Sequence, residues 1–184
     1  MIGLFFEVLP NDGHADAYFE MAAALRPALD ANDGIAFIDR YKSLKRDGVV
    51  LSYQHWLTED DLIRWRENTQ HLGAQKLGRD VHFADYRIRV AQLIEDAATL
   101  EDAGERILVV AEGTEHPTSP TDGETFKSVY RDNAFVTLLE ATGAQHAGVL
   151  HESMVDTPGL TAIRFFSVIR DYTMHQRDEA PQAW

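Results

Sequence analysis

Three polar side chains, Asn68, His71 and Gln75, stand three and four residues apart in this 184-residue chain, so on a helix they share one stripe. Leu62, Trp65 and Leu72 mark an apolar stripe beside it. If the polar stripe faces a cavity, His71 is the candidate catalytic base, because an unperturbed histidine titrates near neutrality and can take a phenolic proton. The same spacing also describes an ordinary amphipathic helix whose polar stripe meets water. A second set lies on strands. Tyr53 and His55 share one strand face, Ser52, Gln54 and Trp56 share the other, and Tyr86 comes from a later strand. Aromatic rings with polar tips suit a flat aromatic ligand, and they suit an interface between sheets equally well. Trp65, Asn68, Gln75, Tyr53, His55 and Tyr86 are therefore the candidate substrate-binding residues around His71.

Other chemistries lack their residues. The chain has no cysteine, which removes disulfides, thiolate metal sites and cysteine nucleophiles. Eight histidines are present, none in the His-x-x-x-His spacing of a helical metal site, and there is no glycine-rich phosphate loop or Gly-x-Ser-x-Gly elbow. No metal site is expected. A net charge of −13 argues against a nucleic-acid partner, whose phosphates demand a basic surface. No stretch approaches the roughly 18 apolar residues of a membrane span, and the N-terminus lacks a secretory signal pattern, so a cytoplasmic protein without a membrane partner is expected. Residues 1–92 carry a net −3 and residues 93–184 a net −10, which makes the second half a poor host for an anionic ligand.

The elements that must position these residues follow from patterning. Ile2–Leu9 reads as a strand ending at Pro10-Asn11-Asp12-Gly13. A helix follows, with Asp12 as cap, Ala15, Tyr18, Ala22, Leu25 and Leu29 on one stripe, and Pro27 kinking or shortening its end. A hairpin of 36–44 and 49–56 comes next. A second helix, opened by a Thr58/Asp61 capping box, runs to about Gly78. In the strand Phe83–Ile94, Tyr86, Ile88 and Val90 alternate with Arg87, Arg89 and Ala91, which suggests one buried and one wetter face. This order of strand, helix, two strands, helix, strand is that of a ferredoxin-like α+β unit with an antiparallel sheet.

The chain then half-repeats itself. Residues 41–53 align without a gap on 126–138 at an offset of 85, with Lys42/Lys127, Ser43/Ser128, Arg46/Arg131 and Asp47/Asp132 identical. Three segments result: a unit at 1–95, an acidic linker at 96–105 that a short helix would also suit, and a degenerate second unit at 106–184. In that second unit His116–Gly123, with two prolines, stands where the first half has its helix, and a short helix spans 143–154. The polar tail from Thr173 is a candidate to wrap a partner surface.

Residues 1–95 resemble the antibiotic biosynthesis monooxygenase-like family in Phe5-Phe-Glu-Val8, Tyr53-Gln-His-Trp56, Trp65, His71-Leu-Gly-Ala-Gln75, Gly78-Arg79 and Phe83-Ala-Asp-Tyr-Arg-Ile-Arg-Val90. The resemblance implies a dimeric α+β barrel fold, closed within one chain or between two as a homodimer, and a monooxygenase acting on a small-molecule aromatic or polyketide-like ligand with no cofactor. The family also holds haem-degrading members, so haem is the alternative cofactor, and a non-catalytic carrier of a hydrophobic ligand is a third reading. The haem degraders' histidine ten residues after the helix tryptophan is Gln75 here, and their asparagine near the first strand is matched by Glu7. Both departures count against haem degradation.

Overall fold

Closing a sheet on itself removes its unpaired edges, and this chain does so with eight antiparallel strands. The computed structural model describes residues 1–117 and 123–181, apart from the side chains of Ala97 and Ala98. The strands are β1 (Ile2–Pro10), β2 (Ile35–Ser43), β3 (Val50–Trp56), β4 (Phe83–Ile94), β5 (Arg106–Gly113), β6 (Glu124–Ser128), β7 (Phe135–Thr142) and β8 (Leu160–Thr173). Around the barrel they run β1-β3-β2-β6-β7-β5-β8-β4. Each half thus keeps the ferredoxin-like strand order, β4-β1-β3-β2 and β8-β5-β7-β6. The barrel closes within one chain.

The repeat explains the closure. Lys42 pairs directly with Lys127 across β2 and β6, so the offset of 85 is also the local two-fold relation between the halves. On either side of this point the same device is built twice. Ser43 Oγ donates to Glu124 at 2.5 Å and Arg46 pairs with Glu124 at 2.5 Å, while Ser128 Oγ donates to Asp39 at 2.9 Å and Arg131 pairs with Asp39 at 2.6 Å. The serine oxygens also accept backbone N–H groups of the following turns, from Lys45 and Arg46 in one copy and Tyr130 and Arg131 in the other. Asp47 and Asp132 sit exposed in those turns.

Inside, Phe5, Leu51, Tyr53, Leu108, Val110, Phe126, Val136 and Phe166 fill the lumen, so the barrel is a packed core. The alternation in β4 is real, but its arginine-bearing face is not the wet one: it points inward, where Arg89 is 4% exposed and pairs with Glu7 and Glu140. The second half repeats this pairing as Arg164 on Glu112.

On the outside lie α1 (Ala15–Asp30), α2 (Glu59–Glu67), α3 (Thr69–Leu77), α4 (Ala97–Glu101) and α5 (Gly143–Met154). Tyr18, Ala22 and Leu29 are the buried residues of α1, which runs through Pro27 to Asp30, since proline forfeits one hydrogen bond and its flanking turns hold. Asp12 does not cap it; the helix starts after His14 without a side-chain cap. The single second helix expected from the sequence is two, because Asn68 leaves helical geometry (ψ 129°). Thr58 and Asp61 form the capping box of α2, and the Asn68 carboxamide accepts from the N–H groups of Gln70 and His71 to start α3. The stretch 96–105 is not a bare linker: Asp96 caps α4, and Leu100 and Ala103 pack against the second half's outer core. Of the proline-bearing stretch, Thr118–Asp122 lies outside the described residues; no helix occurs between β5 and β6 among the described ones. The tail folds back on its own chain, with Met174 N–H on the Tyr86 carbonyl, Glu179 on Arg106 and Ala180 buried; residues 182–184 lie outside the described part.

Removing one partner of a buried ion pair strands the other. Glu7→Ala should therefore cost about 3–5 kcal/mol of stability, and Glu7→Ala with Arg89→Met should recover much of it. Urea unfolding of the single and double variants checks this; equal losses would count against the buried pair as the cause.

Candidate functional site

Because the lumen is full, the hollow with apolar walls and convergent polar groups lies outside the barrel, between α1, α3 and the outer face of the first-half sheet. It has a volume of about 110 Å³. Phe6, Met21, Leu25, Leu29 and Phe83 supply apolar walls, and Tyr18, Arg40, Ser52, Gln54, His71 and Gln75 supply the polar groups. None of the lining residues is acidic.

His71 enters from the first turn of α3, where the Asn68 cap fixes its backbone. Its ring stacks on Trp65 (centroids 4.5 Å apart, planes at 18°), and Trp65 in turn stacks on Trp56 at 6.4 Å. Nδ1 lies 3.0 Å from the Trp65 carbonyl; a proton on Nδ1 donates to that carbonyl and leaves Nε2 as the basic atom. Gln75 Nε2 lies 3.1 Å from the same Nδ1 and donates to the Arg66 carbonyl. Burial lowers the His71 pKa to about 4, against the hydrogen bond to Trp65, which pulls the other way. The imidazole is thus neutral at pH 7 and becomes charged readily only beside a compensating anion.

The sheet supplies a relay. Trp56 Nε1 donates to Gln54 Oε1, and Gln54 Nε2 donates to Ser52 Oγ, each at 3.0 Å, so the Ser52 hydroxyl proton is left to point at another acceptor. Arg40 stands directly opposite Ser52 in the β2/β3 pairing. Strand alternation places Ser52 and Gln54 on the face away from Tyr53, and that was the available signal for them. The part played by Arg40 could not be read from one strand.

The structure brings Trp65, His71 and Gln75 together at this hollow and distributes the other candidates elsewhere. Asn68 is occupied as the α3 cap and borders a separate shallow depression beside Arg64. Tyr53 and His55 are on the opposite face of the sheet, inside the barrel. There the Tyr53 hydroxyl lies 2.6 Å from His55 Nε2 and 3.2 Å from Glu112, which Arg164 holds. They are corrected from pocket lining to lumen because an odd-numbered residue of β3 points inward. Burial and the Arg164 charge lower the His55 pKa to about 4, while burial and Glu112 raise that of Tyr53. Tyr86 packs outside with Phe6 and Phe83, its hydroxyl taken by Arg177. A larger hollow of about 400 Å³ opens at one end of the barrel, but its arginines are already matched: Arg46 by Glu7 and Glu124, Arg87 and Arg89 by Glu140.

Comparison with known proteins adds the following. Residues 1–77 match the antibiotic biosynthesis monooxygenase family. A jasmonate monooxygenase of Pyricularia oryzae is 42% identical over 93 residues, covering 50% of this chain and 43% of its own length. An uncharacterized protein, YqjZ of Bacillus subtilis, is 30% identical over 63 residues, covering 34% of this chain and 55% of its own. The chain therefore spans about half the length of these relatives. The crystal structure of PA3566 from Pseudomonas aeruginosa superposes with a TM-score of 0.43 at 18% identity, over 48% of this chain and 89% of that one.

A histidine held neutral in the fold but titrating near 6.5 when unfolded takes up its proton preferentially in the unfolded chain as pH falls. The stability this provides is complete above about pH 6.5 and is lost as pH drops through about 4, on the order of 3 kcal/mol for His71 at full development. His71→Gln should therefore flatten the fall in urea midpoint between pH 7 and 4.5. An unchanged slope would show that His71 is not buried neutral.

Proposed function

We propose that the chain, whose residues 1–77 match the antibiotic biosynthesis monooxygenase family, is a monooxygenase using O2 without a bound cofactor on a small aromatic or polyketide-like substrate in the hollow beside His71. The observation that carries the reading is the His71 ring: held neutral by burial, with Nδ1 beside the Trp65 carbonyl, and lining a hollow without a carboxylate. A carrier of a hydrophobic ligand would need no such group.

The chemistry asks little more of the protein. His71 Nε2 takes a proton from an activated phenol or from a CH2 group flanked by carbonyl or aryl groups, and the imidazolium forms next to the substrate anion that compensates it. The anion supplies the electrons to O2, a peroxide forms on carbon, and loss of water leaves a carbonyl. The sum is CH2 + O2 → C=O + H2O, or phenol + O2 → quinone + H2O, so no outside reductant enters. The free Ser52 hydroxyl is suited to stabilise developing negative charge on oxygen. The match to a relative named as a jasmonate monooxygenase supports the same reaction class. Haem does not suit this hollow: about 110 Å³ falls below the roughly 300 Å³ at which pockets for drug-sized ligands begin, and Gln75 stands at the position of the haem degraders' histidine.

Oxygen uptake against a panel of hydroquinones and phenols tests the reading. His71→Ala should lower kcat by about 100-fold or more while the far-ultraviolet spectrum is kept. Activity should survive exhaustive dialysis against EDTA, and kcat/KM should fall on the acid side only below about pH 5, because His71 titrates near 4. Full turnover by His71→Ala would sink the assignment.

A further inference from the structure

We infer that the substrate of this hollow is an anion, a small apolar carboxylic acid whose carboxylate is held by Arg40 at the sheet floor. The inference rests on the reading of the hollow as the reaction site and names its substrate class. Arg40 contributes a permanent positive charge to a wall that contains no Asp or Glu. Among the described residues it makes no ion pair. Its Nε is buried without a hydrogen-bond partner. Its neighbour there is the phenol of Tyr18, which burial keeps protonated and which therefore cancels no charge; the guanidinium only pulls the Tyr18 pKa part of the way back. An unmatched cation is expensive to hold in an apolar hollow. In a chain with 30 acidic and 17 basic residues, a carboxylate could readily have been placed beside it.

The internal repeat separates structural from functional use. Seam residues are kept in both halves: Ser43 and Arg46 recur as Ser128 and Arg131, and Asp39 recurs as the acid Glu124. Among the outward residues of the same strands Lys42 recurs as Lys127, but those that line the hollow are not kept. At the offset of 85, Arg40, Ser52 and Gln54 become Thr125, Thr137 and Leu139. Thr125 and Thr137 bond to each other at 2.9 Å, so the barrel closes equally well without the cation. The guanidinium fork can donate two parallel N–H bonds to a carboxylate. Arg40 and His71 line the same hollow, so a ligand anchored at Arg40 lies in the space that His71 borders.

Titration of the full chain with phenylacetate and with phenylacetamide, followed by tryptophan fluorescence through Trp65, tests this. The wild type should bind the acid about tenfold or more tighter than the amide. Arg40→Met, which breaks no ion pair, should lose that preference while still binding the amide, and Arg40→Lys should keep part of it. Equal binding of acid and amide by the wild type, or an undiminished acid preference in Arg40→Met, overturns the inference and leaves the reading of the hollow intact. Binding of neither probe overturns both.

Discussion

The reciprocal grip of Arg46 on Glu124 and Arg131 on Asp39 is the interaction on which the architecture turns. β2 and β6 share only three register pairs, Tyr41–Ser128, Lys42–Lys127 and Ser43–Phe126. So short a ladder, centred on two like charges, needs a second means of fixing register. Carboxylates reached from the other half, each bonded to a serine and an arginine, provide it, because a slip of one residue would turn both acids to the opposite face. The exposed ends of these pairs contribute little energy by themselves, but Asp39 is 5% exposed, and a buried acid in the wrong register would be left unpaired.

Filling the lumen has a functional consequence. Phe5, Tyr53, Phe126 and Phe166 pack the middle of the barrel, and the hollow at its end has its arginines already matched, so the one with apolar walls and unmatched polar groups forms where helices meet the sheet's outer face. Its polar groups come from rigid parts: a strand pair for Arg40 and Ser52, a capped helix start for His71, a stack of two tryptophans behind the imidazole. The imidazole is held by the Trp65 carbonyl and Ser52 by Gln54, while Arg40 is placed by the strand pairing.

Much of this was legible in the chain. The order of elements, the strand limits of β4, the span of α5 and the two-fold echo all follow from period and punctuation, because local pattern decides them. What was not legible depends on closure. Arg87 and Arg89 read as a wetter face because sequence cannot say that the face is the inside of a barrel with Glu7 and Glu140 waiting there. The break at Asn68 was hidden because asparagine fits a polar stripe as well as a cap, and only the backbone angle separates the two. Tyr53 and His55 were grouped with His71 by residue type, although alternation put Ser52 and Gln54 on the face the helices cover. Arg40 was missed entirely: an arginine between Asp39 and Tyr41 looks like any strand charge until its partners are sought in three dimensions.

Covalent fusion also changes how such a barrel can evolve. When two identical chains build the barrel, each substitution is expressed twice, and a residue chosen for a ligand on one side must also be tolerated on the other. In a single chain the halves are free to drift apart. Thr125 and Leu139 stand where the first half keeps Arg40 and Gln54, while the serine and arginine that join the halves are the same in both. One half can therefore serve as scaffold while the other takes up recognition, a division of labour readable in which positions of the echo differ.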